Sequence, residues 1–368
     1  MVTSLVLNHL SHLMSKIIYK QSSNFQIMNS KFTGFLLFFL VMSFTLTAQT
    51  QTSGYKIANR ISLPGEGGWD YLAVDETNGR LFVSHGNAVN VVDLKAKTLC
   101  GTIEDTKGVH GIAFADDLNK GYISDGRDST VTVFDLKTMN KMGKIKVTGA
   151  NPDAVMYDKF SHSVFVYNGR TSNVTVIDAK TDKVKATIPL DGKPEFSQTD
   201  GKGIVYVNIE DKSKISVINA STCKVEKNWP LAPGEEPSGL ALDNVNHRLF
   251  AVCSNKLMMV LDAENGKIIA QLPIGDRCDG VAFDPGKKRA YSSNGDGTMT
   301  VVQQVSKDEY KVLENFPTQK SARTIAVDKR TGNLYLSTAE FEAQDPSSKQ
   351  RPAVKPNSFT ILEIQCLK

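Results

Sequence analysis

The sequence has no Gly-x-Ser-x-Gly elbow, no phosphate-binding loop, no dinucleotide fingerprint and no His-Glu-x-x-His. Hydrolase, nucleotide-binding and zinc-protease readings therefore lack support from motifs. It has no Cys-x-x-Cys-His, which excludes covalently attached haem, and no Cys/His cluster at zinc spacing. An electron-transfer role would need a partner. Only two tryptophans occur, Trp69 and Trp229. The five cysteines, Cys100, Cys223, Cys253, Cys278 and Cys366, are an odd number, so one at least stays unpaired within the chain. They read either as small buried strand residues or as one disulfide, Cys253 with Cys278, and the rest free.

Acidic residues are missing from the first 48 positions, which hold Lys16, Lys20 and Lys31. The formal charge of the 368-residue chain is +4, and three of those charges sit in that segment. The remainder has 40 basic and 39 acidic groups, so it does not suit a polyanion on charge alone. Within the segment, Phe35-Leu-Leu-Phe-Phe-Leu-Val-Met42 is an apolar run behind Lys31 and ahead of Ala48. A basic flank, a short apolar stretch and a small residue make a secretory signal; the run is shorter than the ~20 residues that span a bilayer. Residues 1–48 are thus expected to be an export segment with its natural start at Met28, and the protein periplasmic or secreted. Residues 49–368 are expected to be a single domain. With 40% hydrophobic and 22% charged residues, the chain can build an ample core.

What is present is a repeat. Val89-Asn-Val-Val-Asp93, Val131-Thr-Val-Phe-Asp135, Val174-Thr-Val-Ile-Asp178, Ile215-Ser-Val-Ile-Asn219, Met258-Met-Val-Leu-Asp262, Met299-Thr-Val-Val-Gln303 and Phe359-Thr-Ile-Leu-Glu363 share one pattern. Their closing residues lie 41 to 43 positions apart, except for a last step of 60. Each unit also holds an earlier run such as Leu240-Ala-Leu-Asp243, a turn, a second strand such as Val164-Phe-Val-Tyr167 and a fourth such as Val184-Lys-Ala-Thr-Ile188. Period-two alternation broken by turns every 8–12 residues predicts antiparallel strands. Four strands per unit, seven times, predicts an all-β seven-bladed β-propeller. Residues 55–61 read as a fourth strand without the preceding three, whereas 331–363 supply inner strands with hardly any fourth. The N-terminal strand is therefore expected to join the C-terminal blade and close the ring.

Thr181-Asp-Lys-Val-Lys-Ala-Thr-Ile-Pro-Leu190, Gly192-Lys-Pro194 and Ile204-Val-Tyr-Val-Asn208 resemble the YVTN-type repeat of YncE-like exported bacterial propellers and archaeal surface-layer proteins. The resemblance spans residues 55–364. It implies the same fold and an exported location, and it leaves function open because propellers serve as scaffolds, ligand binders, lyases, lactonases and redox subunits. One relative is described as binding single-stranded DNA. That is the lesser alternative here, given a near-neutral mature chain with two tryptophans.

Propeller geometry puts the start of each innermost strand, and the loop between second and third strands, around one channel mouth. The seven starts read Trp69-Asp70, Val109-His110, Pro152-Asp153, Pro194-Glu195, Pro237-Ser238, Cys278-Asp279 and Ala322-Arg323. The second residue of each is polar. The loops add His85, Asp125, Arg127, Asn168, Arg170, Glu210, Asn294 and Glu340. Such a ring either satisfies a wet channel mouth or binds a small polar ligand or a peptide, with Arg127, Arg170 and Arg323 set against Asp70, Asp153 and Glu195. An enzyme of lactonase or lyase type would use His85 or His110 with Asp70 or Asp153, and a divalent metal is the one cofactor such a set would take. His162 and His247 fall in turns on the opposite face. Asn294-Gly-Asp-Gly-Thr298 reads as a hairpin turn rather than a calcium loop. The insertion 339–358 lies between second and third strands of the last unit and is expected to overhang the mouth as a lid or ligand-contact loop, or as a solvent-exposed excursion.

Overall fold

The computed structural model describes residues 54–343 and 352–367. The export segment expected over residues 1–48, its start at Met28 and the middle of the 339–358 insertion lie outside them. Among the described residues no helix is long and apolar enough to cross a membrane.

The repeat folds as expected: seven four-stranded antiparallel sheets, in six of which each strand pairs with its neighbours in sequence. We number the blades from the first complete repeat. Blade 1 runs from Trp69–Asp75 to Thr98–Ile103, blade 2 from Val109–Ala115 to Lys141–Lys146, and blade 3 from Pro152–Asp158 to Lys183–Pro189. Blade 4 runs from Pro194–Thr199 to Lys224–Pro230, blade 5 from Pro237–Asp243 to Ile268–Pro273, and blade 6 from Cys278–Asp284 to Glu309–Pro317. Blade 7 takes Ile325–Asp328, Asn333–Thr338 and Thr360–Cys366 from the C-terminal end and Tyr55–Ser62 from the N-terminal end.

The third strands are buried along both faces, with an occasional small polar residue such as Thr132 among the apolar ones. Val131, Thr132, Val133 and Phe134 are all buried, whereas the outermost strand Lys141–Lys146 is nearly all exposed. Lysines on that outer strand also guard a free sheet edge against pairing with other chains. Seven apolar clusters hold the ring, one at each blade junction. Phe82, Ile112, Ile123 and Phe134 join blades 1 and 2, and Tyr206, Trp229, Leu249 and Met259 join blades 4 and 5. Leu72, Leu81 and Val83 of blade 1 pack on Ile61, Tyr335, Phe359 and Ile361 at blade 7. With that seventh cluster the ring is closed rather than open.

The closing acid of the repeat has a local cause. Asp93, Asp135, Asp178 and Asn219 each accept hydrogen bonds from the backbone N–H groups two and three residues on, and so fix the turn into the fourth strand. Asp262 accepts from Glu264 in the same way. Blade 6 departs from this, since its strands Thr298–Ser306 and Glu309–Pro317 run on into a tighter hairpin and need no such turn. There the repeat carries Gln303 instead.

Cys253 and Cys278 do come together on blades 5 and 6, as the disulfide reading required, but the bridge is not made. Both are buried free thiols. The Cys278 thiol is turned toward the Cys253 carbonyl oxygen, 3.2 Å away, rather than toward its sulfur. Burial raises both thiols to about 12, so neither is a ready thiolate.

Candidate functional site: an acidic cup at the channel mouth

The first residue of each innermost strand pairs with the last residue of the second strand in blades 1 to 6, for example Trp69 with His85, Val109 with Asp125 and Pro152 with Asn168. A register irregularity follows immediately in all six. Such bulges re-aim side chains, and here they turn Asp70, His110, Asp153, Glu195, Ser238 and Asp279 toward the channel. The backbone at these positions is pinned by the preceding blade. Thr324 Oγ1 donates to the Asp70 carbonyl at 2.5 Å, Asn208 Nδ2 to that of Ser238 at 2.9 Å and Ser293 Oγ to that of Arg323 at 2.6 Å. Ser124 Oγ donates to that of Asp153. Arg323 thus occupies the same ring position as the others.

The residue after each ring position sets how closely the blades approach. A Cβ at Gly111 would lie 2.8 Å from the Asp153 carbonyl oxygen and the Val155 nitrogen, and one at Gly239 would lie 2.9 Å from the corresponding atoms of Asp279 and Val281. These are backbone atoms and cannot turn aside. Gly111→Ala should therefore wedge blades 2 and 3 apart at a cost of about 1–3 kcal/mol, read as a fall in Tm of roughly 3–6 °C. An unchanged melt would contradict the close packing.

At the same position blades 1 and 4 carry Tyr71 and Phe196. Their rings stack with centroids 4.5 Å apart, although the blades stand on opposite sides of the ring. The pair therefore spans the channel beneath the ring residues and gives it a floor. Sequence reading missed this floor; the signal was two aromatics at a position otherwise held by Gly, Ala or Thr.

Above the floor the side chains converge. His110 Nδ1 lies 2.7 Å from Asp70 Oδ2 and 3.8 Å from Asp153 Oδ1. Arg323 contacts Asp279 and reaches to 3.7 Å from Asp70 Oδ1. Lys193 pairs with Glu195 at 2.6 Å and also with Glu210. Four ring carboxylates thus face Arg323, Lys193 and the imidazole of His110, all three already engaged. Burial, reinforced by the neighbouring Asp70 charge, pushes Asp153 up to about 6. Burial and the Asp153 charge raise Glu195 as well. Burial also works against protonation of His110, but its hydrogen bond to Asp70 and the charges of Asp153, Asp70 and Glu195 outweigh it and raise the imidazole. The cup stores repulsion among like charges that a bound cation would relieve.

Several residues expected at the mouth stand apart from the cup. His85 is buried against Phe359, ring centroids 3.9 Å apart, with Nδ1 at 3.3 Å from the Pro64 carbonyl oxygen. Burial lowers its imidazole, as suits a packed neutral ring. Trp69 packs on Phe359 and Phe341 at the foot of the insertion. Glu340 is tied to Lys355 at 3.0 Å across that foot, where Phe341 bridges Val354. Arg127 and Arg170 are exposed on their loops and form no ion pair among the described residues. Asn168 and Asn294 reach back to threonines of the third strand, Asn168 Nδ2 to Thr175 at 3.0 Å and Asn294 Nδ2 to Thr298 and Thr300 at 3.0 Å each. The Asn294–Thr298 segment is accordingly a pinned hairpin. Asp125 takes the same position in blade 2, accepting from Thr130 and Thr132.

YncE of Salmonella typhimurium and YncE of Salmonella typhi are each 25% identical to this chain over 247 residues, 62% of this chain and 69% of theirs. The chain is a YncE-like seven-bladed propeller. No protein-family model matches it. Among solved structures this YncE-like propeller is similar to the RRP9 WD40 repeats, with a TM-score of 0.70 and 9% identity over 84% of this chain and 98% of that one. It is also similar to a Kuenenia stuttgartiensis hydrazine synthase chain, with a TM-score of 0.66 and 15% identity over 83% of this chain and 98% of that one. At these identities the likeness is one of fold. A YncE-like propeller is, in general terms, an interaction module.

Proposed function

We propose that this YncE-like propeller is an exported binding module that holds a small polar ligand, or a peptide end, in the cup above Tyr71 and Phe196. The observation that carries the reading is the charge balance there: Asp70, Asp153, Glu195 and Asp279 against Arg323, Lys193 and the imidazole of His110, with all three bases paired. A partner bearing positive charge is favoured, and the aromatic floor adds a face for an amine to rest on. The apolar run behind Lys31 supports export. A phosphate backbone would meet these carboxylates, which weighs against DNA at this mouth.

The enzymatic alternative draws support from one contact, His110 Nδ1 to Asp70 at 2.7 Å beside Asp153, an arrangement suited to moving a proton. Binding and catalysis share these residues, so they are separated by turnover. Native mass spectrometry of untagged protein from its expressing cells should show one bound small molecule per chain, released unchanged. Glu195→Gln and Asp279→Asn should each weaken its retention by about tenfold. Retention unaffected by both substitutions would refute the cup as the binding site.

A further inference from the structure

The proposal here rests on the cup reading and goes further into one side of it. We infer that Asp70, His110 and Asp153 form a site for one divalent first-row transition-metal ion. One donor atom from each lies within 4.8 Å of the other two. Metal–ligand bonds of about 2.1 Å require donors about 3.0 to 3.4 Å apart, for right-angled and tetrahedral arrangements respectively. The observed separations from Nδ1, 2.7 and 3.8 Å, straddle that range. Side-chain shifts of a few tenths of an ångström would close it.

Which nitrogen faces the carboxylates is settled by packing. A Cβ at Gly126 would lie 2.9 Å from His110 Nε2, so that edge of the ring is turned toward the Gly126 backbone and Nδ1 toward Asp70 and Asp153. The three donors come from neighbouring blades, and the backbones of Asp70 and Asp153 are pinned by Thr324 and Ser124. The set is thus preorganised rather than assembled from loops. Arg323 makes its close contact with Asp279 and reaches only to 3.7 Å from Asp70, so the two carboxylates of the triad retain charge to offer a dication.

Tyr71 is buried at the floor of the cup. It interacts electrostatically with Asp153, Asp70 and Glu195, which places it under the same cluster. An imidazole nitrogen with two carboxylate oxygens suits zinc, cobalt, nickel or manganese; calcium and magnesium take all-oxygen sets.

The test uses untagged full-length protein, stripped with a chelator and titrated calorimetrically with zinc chloride, and in parallel with cobalt chloride followed by visible absorption. One ion per chain is expected, with a cobalt spectrum perturbed from that of the aqueous ion. His110→Ala and Asp153→Asn should each weaken binding about 100-fold, with circular dichroism melts confirming that the ring is intact. His110→Gln keeps the volume of the side chain and is expected to lose the ion likewise. Absence of a stoichiometric ion, or full binding by the folded His110 variants, would overturn the proposal. A small molecule that binds the metal-free protein and is lost in Glu195→Gln, with no ion bound in any form, would also overturn it while leaving the cup reading standing. An ion bound to the triad with no other ligand retained would support the metal site and remove the small-molecule reading.

Discussion

A chain cut to begin at Leu63 is expected to lose cooperative folding. The cut removes Tyr55–Ser62, the strand that pairs along Thr360–Cys366 from Tyr55 opposite Cys366 to Ser62 opposite Thr360. It deletes the buried side chains of Tyr55 and Ile61 from the clusters on either side of blade 7, at about 2–3 kcal/mol each. The ladder bonds between the two strands add about 1 kcal/mol apiece. Tyr55 also carries the hydroxyl that accepts from the half-buried Arg289 at 2.7 Å and lies 3.2 Å from the buried Tyr291 hydroxyl, so both would lose a partner. The total, of order 10 kcal/mol, matches the whole stability of a typical domain. Urea unfolding followed by circular dichroism should show a collapsed midpoint or no single transition. An unchanged midpoint and slope would mean that the N-terminal strand does not close the ring.

Asp125→Asn is expected to stabilise the protein at neutral pH. The Asp125 side chain is fully buried, and its Oδ1 has no hydrogen-bond partner. Burial raises its pKa to about 6, against the partial relief given by Thr132, Thr130 and Lys144. The folded state therefore favours the protonated acid. Its contribution is fully present below the unfolded value near 3.8 and is lost as pH rises through about 6. A shift of this size corresponds to about 3 kcal/mol. Asparagine, which blades 3 and 6 carry here as Asn168 and Asn294, cannot ionise and donates to the threonines instead. The variant should gain about 2–3 kcal/mol at pH 7.5, or about 5 °C in Tm, and little at pH 4. A gain that does not change with pH would show that Asp125 is not the titrating group.

The blade pattern was legible because each part of the repeat has a local cause. Alternating β-branched residues fill the covered third strands, and the closing aspartate or asparagine fixes the turn after it. The ring positions of Asp70, His110, Asp153 and Glu195 were legible for the same reason, since the same bulge recurs at the same register. His85 was misplaced because blade 1 alone is preceded by the lead-in Leu63–Gly68, whose Pro64 carbonyl oxygen sits against the imidazole. Asn168, Asn294 and Asp125 follow the repeat yet turn back onto third-strand threonines, a contact that depends on side-chain reach rather than on register. The Tyr71–Phe196 floor joins distant segments across the channel, so no local pattern announced it. At the described ends of the insertion Phe341 and Val354 bridge.

The central claim is that the cup formed by Asp70, His110, Asp153, Glu195, Asp279 and Arg323 is where this propeller holds its ligand. The most direct test is a crystal structure of protein isolated from its own cells, followed by one of Asp153→Asn with Glu195→Gln under the same conditions. Density above the Tyr71 ring that contacts Asp153 or Glu195 is expected in the first and is lost in the second. A ligand seated on another surface, or density over Tyr71 that survives both substitutions unchanged, would contradict it.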